Sequence, residues 1–158
     1  MDHITFFLLV LKFGEVLVIT GGYKFQIPRR IESQEVSPET TYAAFLVFKL
    51  PQDQSTFEAP IEMYDANADS KESFIYLASP PHTPVIGPKF EENTYNPLNR
   101  YKGNALPQQR TDGWMEVEIW QFKTKTTPES VPMDLKFEHP RKKNLKGLIV
   151  QGIELRPI

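Results

Sequence analysis

The sequence predicts an all-β protein, an antiparallel sandwich, and three observations carry that reading. Fourteen prolines are scattered along 158 residues, so few windows could hold a long helix. Thr40 to Leu50 (TTYAAFLVFKL) is aromatic, β-branched and almost continuously apolar, as a strand buried on both faces should be. Trp114 to Phe122 (WMEVEIWQF) alternates strictly through Ile119, the period of a strand with one face in the core.

The elements follow in chain order. Ile4 to Leu11 is the most apolar window, but Asp2 and His3 precede it rather than lysine or arginine, and no small-x-small cleavage site follows. It also falls far short of the roughly 20 residues of a membrane span. With Val16 to Ile19 it reads as a pair of short buried strands around Gly14, and Thr20-Gly21-Gly22 reads as a turn. Ser37-Pro38 and Pro51 punctuate the Thr40 to Leu50 strand. Residues 51–110 hold eight of the fourteen prolines, with Pro80-Pro81, Pro84 and Pro88 clustered, and read as a long excursion with strands at Ile61 to Tyr64 and Phe74 to Leu77. A last strand, Leu148 to Leu155, is opened by Lys146-Gly147 and closed by Arg156-Pro157. Residues 1–158 are expected to form one domain, with 1–24 a divergent N-terminal segment and 51–110 an expanded loop region.

Composition limits what such a chain does. Eighteen basic and twenty acidic side chains leave a net charge of -2, so no global field favours nucleic acid or an anionic membrane, and neither is expected as a partner. There is no cysteine and no Asn-x-Ser/Thr acceptor, which favours a cytoplasmic and also nuclear setting. His3, His82 and His139 stand in unrelated contexts, and neither a metal-ligand spacing, a phosphate loop nor a nucleophile elbow occurs. The expectation is therefore a non-enzymatic protein with no catalytic residues, no metal and no cofactor. Arg141-Lys142-Lys143, with Lys136 and Lys146 nearby, reads as a solvated turn between strands.

The best chemical feature is the outward face of the strand at 114–122. With Met115, Val117 and Ile119 in the core, Trp114, Glu116, Glu118 and Trp120 share the opposite face. The flat C–H face of a pyranose packs on aromatic rings, and carboxylates accept hydrogen bonds from its hydroxyls. These four residues are the candidate carbohydrate-binding surface, and burial of the tryptophans under a flanking loop is the competing reading.

Three stretches together resemble a known family: Ser37 to Leu50 (SPETTYAAFLVFKL), Arg110 to Glu118 (RTDGWMEVE) and Lys146 to Pro157 (KGLIVQGIELRP) look like the signature blocks of the plant phloem protein 2 family, which includes the tobacco-agglutinin lectins. The resemblance runs from about Phe25 to Ile158. It implies a jelly-roll-like β-sandwich with a long proline-rich insertion between early and late strands. It also implies no catalysis, a nucleocytoplasmic location, and binding of N-acetylglucosamine oligomers or N-glycan cores; members also occur fused to F-box or kinase domains.

Two departures from the family are visible. Chitin-binding members carry a tryptophan-rich block before the strand aligned with Tyr23 to Ile31, whereas Met1 to Gly22 contains no tryptophan, and Lys24 stands where the family usually has one more. Thr126 to Glu138 keeps Glu129, Asp134 and Glu138, but in an altered register with Pro128 and Pro132 among them, so family roles are not carried over to these acids. Alongside glycan binding stands a second reading, a protein-interaction or defence-associated module that has lost the glycan site, with Phe90, Tyr95 and Tyr101 of the expanded loop as first contacts for a protein partner. A homodimer is compatible with either.

Overall fold

A computed structural model describes residues 16–66, 73–79 and 106–158. The described residues form nine strands and two short 3-10 turns, Ser33–Glu35 and Ser55–Glu58, arranged as two antiparallel sheets. The strands are β1 (Leu17–Val18), β2 (Lys24–Ile31), β3 (Thr41–Lys49), β4 (Ile61–Asp65), β5 (Ser73–Ile75), β6 (Gln108–Gln109), β7 (Met115–Lys123), β8 (Val131–Glu138) and β9 (Ile149–Pro157). One sheet has the order β1-β9-β3-β7-β6 and the other β2-β8-β4-β5. The all-β sandwich expected from the sequence is therefore what forms.

The inner faces of the two sheets supply the core. β3 contributes Ala44, Leu46 and Phe48 from the middle of its sheet, and β7 adds Val117 and Ile119. The facing sheet contributes Phe25 and Ile27 from β2, Met133, Leu135 and Phe137 from β8, and Ile61 and Met63 from β4. Phe25 and Phe137 lie opposite each other in the register and stack at 4.6 Å between ring centroids. Such pairs stabilise beyond the area they remove from water.

Some expectations shift. β1 is not a buried strand: among the described residues it pairs with β9 alone, and Val16 and Val18 are exposed while Ile19 is fully buried. The companion strand at Ile4 to Leu11 lies outside the described residues. β5 ends at Ile75, although Tyr76, Leu77 and Ala78 that follow are buried. β9 runs on through Arg156 and Pro157, which pair with Ala43 and Tyr42, so the pair of residues read as a closing turn is part of the strand. β8 is a well-alternating strand despite Pro132, which sits opposite Arg30 near its start. The proline cluster from Pro80 to Pro88, His82, and Phe90, Tyr95 and Tyr101 lie outside the described residues.

Replacement of Gly147, in the turn before β9, is blocked twice. Its φ of +97° suits glycine, and a Cβ there would come 2.8 Å from Cβ of Pro51. Its N–H bonds the carbonyl of Ile19 at 2.9 Å, tying the entry of β9 to the end of β1.

Candidate functional site

A bulge in β7 decides where the candidate residues point. The β3–β7 register runs Phe48↔Met115, Leu46↔Val117 and Phe45↔Glu118, then shifts so that Ala44 faces Trp120. Ile119 is the extra residue, and two successive side chains, Ile119 and Trp120, are turned to the core side. Trp120 stacks on Phe122 at 4.8 Å, and Phe122 stacks on Tyr42 at 5.7 Å. The four residues Trp114, Glu116, Glu118 and Trp120 therefore do not share one face, because strict alternation ends at the bulge. Trp120 belongs to an aromatic row at the margin of the core.

Glu116 and Glu118 do point outward, and Trp114 stands at the start of the same row. Trp114 is half-buried, with Nζ of Lys49 over its ring at 4.5 Å. The Arg110 to Trp114 turn joining β6 to β7 fixes its position. Trp114 N–H donates to Asp112 Oδ1 at 3.1 Å, and its carbonyl accepts from Arg110 N–H at 2.8 Å.

Glu116 is not a solvated strand residue. It is 8% exposed, and its Oε1 accepts from Arg156 Nη2 and lies 3.4 Å from Arg110 Nη1. Arg110 also donates to Glu154 Oε1 at 2.6 Å and to Asp112 Oδ2 at 2.9 Å. Asp112 and then Glu154 hold the Arg110 guanidinium more firmly protonated, and Arg110, aided by the Trp114 N–H, keeps the Asp112 carboxyl below its ordinary range. Strands β7 and β9 and the β6–β7 turn are thus cross-linked over the outer face of β3. Ala43, opposite Arg156, and Val47, opposite Glu116, are buried there.

Next to this network is a depression of about 180 Å³ lined by Phe45, Leu106, Gln108, Glu116, Glu118 and Arg156. The Arg156 guanidinium lies over the Phe45 ring at 3.8 Å and presents a flat, cationic surface. Glu118 Oε2 accepts from Gln121 at 2.6 Å, which orients the carboxylate and leaves Oε1 without a bond in the protein among the described residues. Of the sequence-derived candidates, Glu116 and Glu118 reach this depression. Phe45, Gln108 and Arg156 join them without having been singled out, and the signal for Arg156 was there: Gly152, Glu154 and Arg156 follow the period of two on the side of β9 facing Val47, Phe45 and Ala43. No group of three or more His, Asp or Glu placed to hold a metal occurs among the described residues.

A two-sheet antiparallel sandwich with a polar depression on one outer face defines the structural class of the protein. The chain belongs to the phloem protein 2 family, whose pattern it matches over residues 10–157. Its relatives include three Arabidopsis thaliana proteins. F-box protein At2g02240 is 28% identical over 150 residues, covering 92% of this chain and 42% of the relative. F-box protein PP2-B7 is 27% identical over 147 residues, covering 84% and 42%. F-box protein PP2-B10 is 28% identical over 152 residues, covering 92% and 50%. The chain thus spans about half the length of the curated relatives it matches.

Proposed function

We propose that the chain is a carbohydrate-binding module that holds N-acetylglucosamine oligomers or N-glycan cores in the depression around Phe45 and Glu118, without chemical turnover. The observation that carries the reading is the convergence there of a pre-oriented carboxylate, a side-chain amide and a flat guanidinium–aromatic stack on a rigid sheet. Glu118 Oε1 and Gln108 supply hydrogen bonds to hydroxyl and acetamido groups, and the Arg156–Phe45 stack supplies the surface on which a pyranose lies. The depression is shallow and has few groups, so affinity is weak, about millimolar for a trisaccharide. Zero cysteines and the family's habit support a cytoplasmic and nuclear setting.

Calorimetric titration of the folded chain with chitotriose tests this. Saturable binding that weakens at least about tenfold in Glu118→Gln supports it, since a lost charge-assisted hydrogen bond is worth about 1.5–3 kcal/mol. No heat at several times the expected dissociation constant would sink it for this ligand. A second reading, recognition of a protein partner, is favoured by the names of the relatives: they are F-box proteins about twice as long as the segment matched here. On that reading this domain is the recognition half of a longer protein, and a partner is retained in the presence of excess chitotriose.

A further inference from the structure

The loop that joins β8 of one sheet to β9 of the other lies apart from the residues lining the depression. His139 and Leu145 are buried, 2% and 0% exposed, yet Arg141, Lys142 and Lys143 between them are all exposed. The loop is pinned at several points. His139 N–H bonds the Tyr23 carbonyl at 2.9 Å, Leu145 N–H bonds the Gly22 carbonyl at 2.8 Å, and Lys142 N–H closes on the His139 carbonyl at 3.0 Å. The His139 ring adds two more bonds. Nδ1 accepts from Arg141 N–H at 3.0 Å, and Nε2 faces the Thr56 carbonyl at 3.1 Å.

This anchoring holds like charges together. Lys142 has a φ of +58°, a conformation that a lysine adopts only at some cost, and its Nζ lies 5.9 Å from the centre of the Tyr23 ring. Lys24 at the start of β2 brings its Nζ to 5.6 Å from the centre of the same ring. Among the described residues, none of Lys24, Arg141, Lys142 and Lys143 makes an ion pair; Glu138, opposite Lys24 in the register, is the nearest acid along the strands. Burial pushes the His139 imidazole down against the hydrogen bond to Thr56, and the cations of Lys143 and Arg141 add to the lowering. In a chain with a net charge of -2, Arg141, Lys142 and Lys143 thus follow one another on a pinned turn, with Lys24 reaching the same tyrosine as Lys142.

We propose that the Arg141–Lys143 turn, with Lys24 and Tyr23, is a docking surface for a phosphorylated, acidic peptide segment of a protein partner. The patch is one turn wide and flanked by Glu138, so it fits one dianionic phosphate and its neighbours rather than the long phosphate array of a nucleic acid or a membrane surface. A guanidinium and two or three ammonium groups around one point are what a phosphate monoester requires. The proposal is independent of sugar binding, since the patch and the depression share no residue.

The test is fluorescence anisotropy of the whole chain with a labelled peptide of phosphoserine flanked by aspartates. Controls are the unphosphorylated peptide, inorganic phosphate, a single-stranded RNA and vesicles containing phosphatidylserine. The expected result is salt-sensitive binding, about tenfold weaker without the phosphoryl group and about tenfold weaker in Arg141→Gln/Lys142→Asn. Asparagine tolerates the positive φ, so that variant keeps the turn, and its unchanged thermal midpoint confirms folding. Equal binding of both peptides, no binding by the folded chain, binding unaffected by the double variant, or tighter binding of the RNA or the vesicles would overturn the proposal.

Discussion

At the scale of single residues, Glu116 and His139 carry the sharpest consequences. Glu116 lies between two arginines with little access to water, and removing its charge leaves Arg110 and Arg156 facing each other across a half-buried space. Glu116→Ala is expected to cost about 2 kcal/mol in denaturant unfolding, the scale of hydrogen bonds to a charged group. His139 makes the fold sensitive to mild acid. Its Nδ1 accepts a backbone N–H, so the folded state holds the neutral ring, with its pKa lowered by burial. Above the ordinary value of 6.5 both folded and unfolded rings are neutral and stability is full. As pH falls below that value the unfolded chain takes up its proton first, and stability declines until the folded ring is also protonated. Thermal melts from pH 7.5 to 5 should show this decline in the wild type and a smaller one in His139→Gln, whose amide can still donate to Thr56.

At the scale of elements, the β7 bulge separates what the sequence displayed from what it concealed. Alternation correctly marks Val117 and Ile119 as core and Glu116 and Glu118 as outward. An inserted residue leaves no mark in a hydrophobic pattern when the residue beyond it is a tryptophan, which suits either face, so strict alternation alone puts Trp120 on the outer face. The prediction follows from its stacking on Phe122 and its contact with the core. Trp120→Ala should destabilise the fold by about 3 kcal/mol and leave chitotriose affinity within about twofold. A loss of affinity without loss of stability would return Trp120 to the binding surface. The burial of Glu116 was hidden for a different reason: its partners, Arg110 and Arg156, are 6 and 40 positions away and meet it only because β9 and the β6–β7 turn converge on β3. β8 was obscured by Pro132, although Met133, Leu135 and Phe137 keep the period of two.

At the scale of the whole molecule, two parts of the surface present different chemistry. The five-stranded sheet carries a network of paired charges beside a polar depression, and the pinned turn between β8 and β9 carries cations that make no ion pair among the described residues. The connection across the sandwich end is equally specific. Gly147→Ala is expected to lower the melting temperature by several degrees, as Pro51 blocks the new methyl group and the positive φ disfavours it. The all-β class and the strands around β3, β7 and β9 were legible because proline placement and side-chain period report directly on local structure. The depression was not, because it is assembled from four strands and one preceding loop residue, and pairing between distant segments leaves no local signal.

Amide chemical-shift mapping of the isotope-labelled chain with chitotriose is the sharpest test of the proposed glycan site in the Phe45–Glu118 depression. Resonances of Phe45, Gln108, Glu118 and Arg156 should move progressively and saturate together, while those of Trp120 and of the Arg141–Lys143 turn stay in place. Shifts confined to any other surface, or a spectrum of folded protein unchanged at saturating trisaccharide, would contradict it.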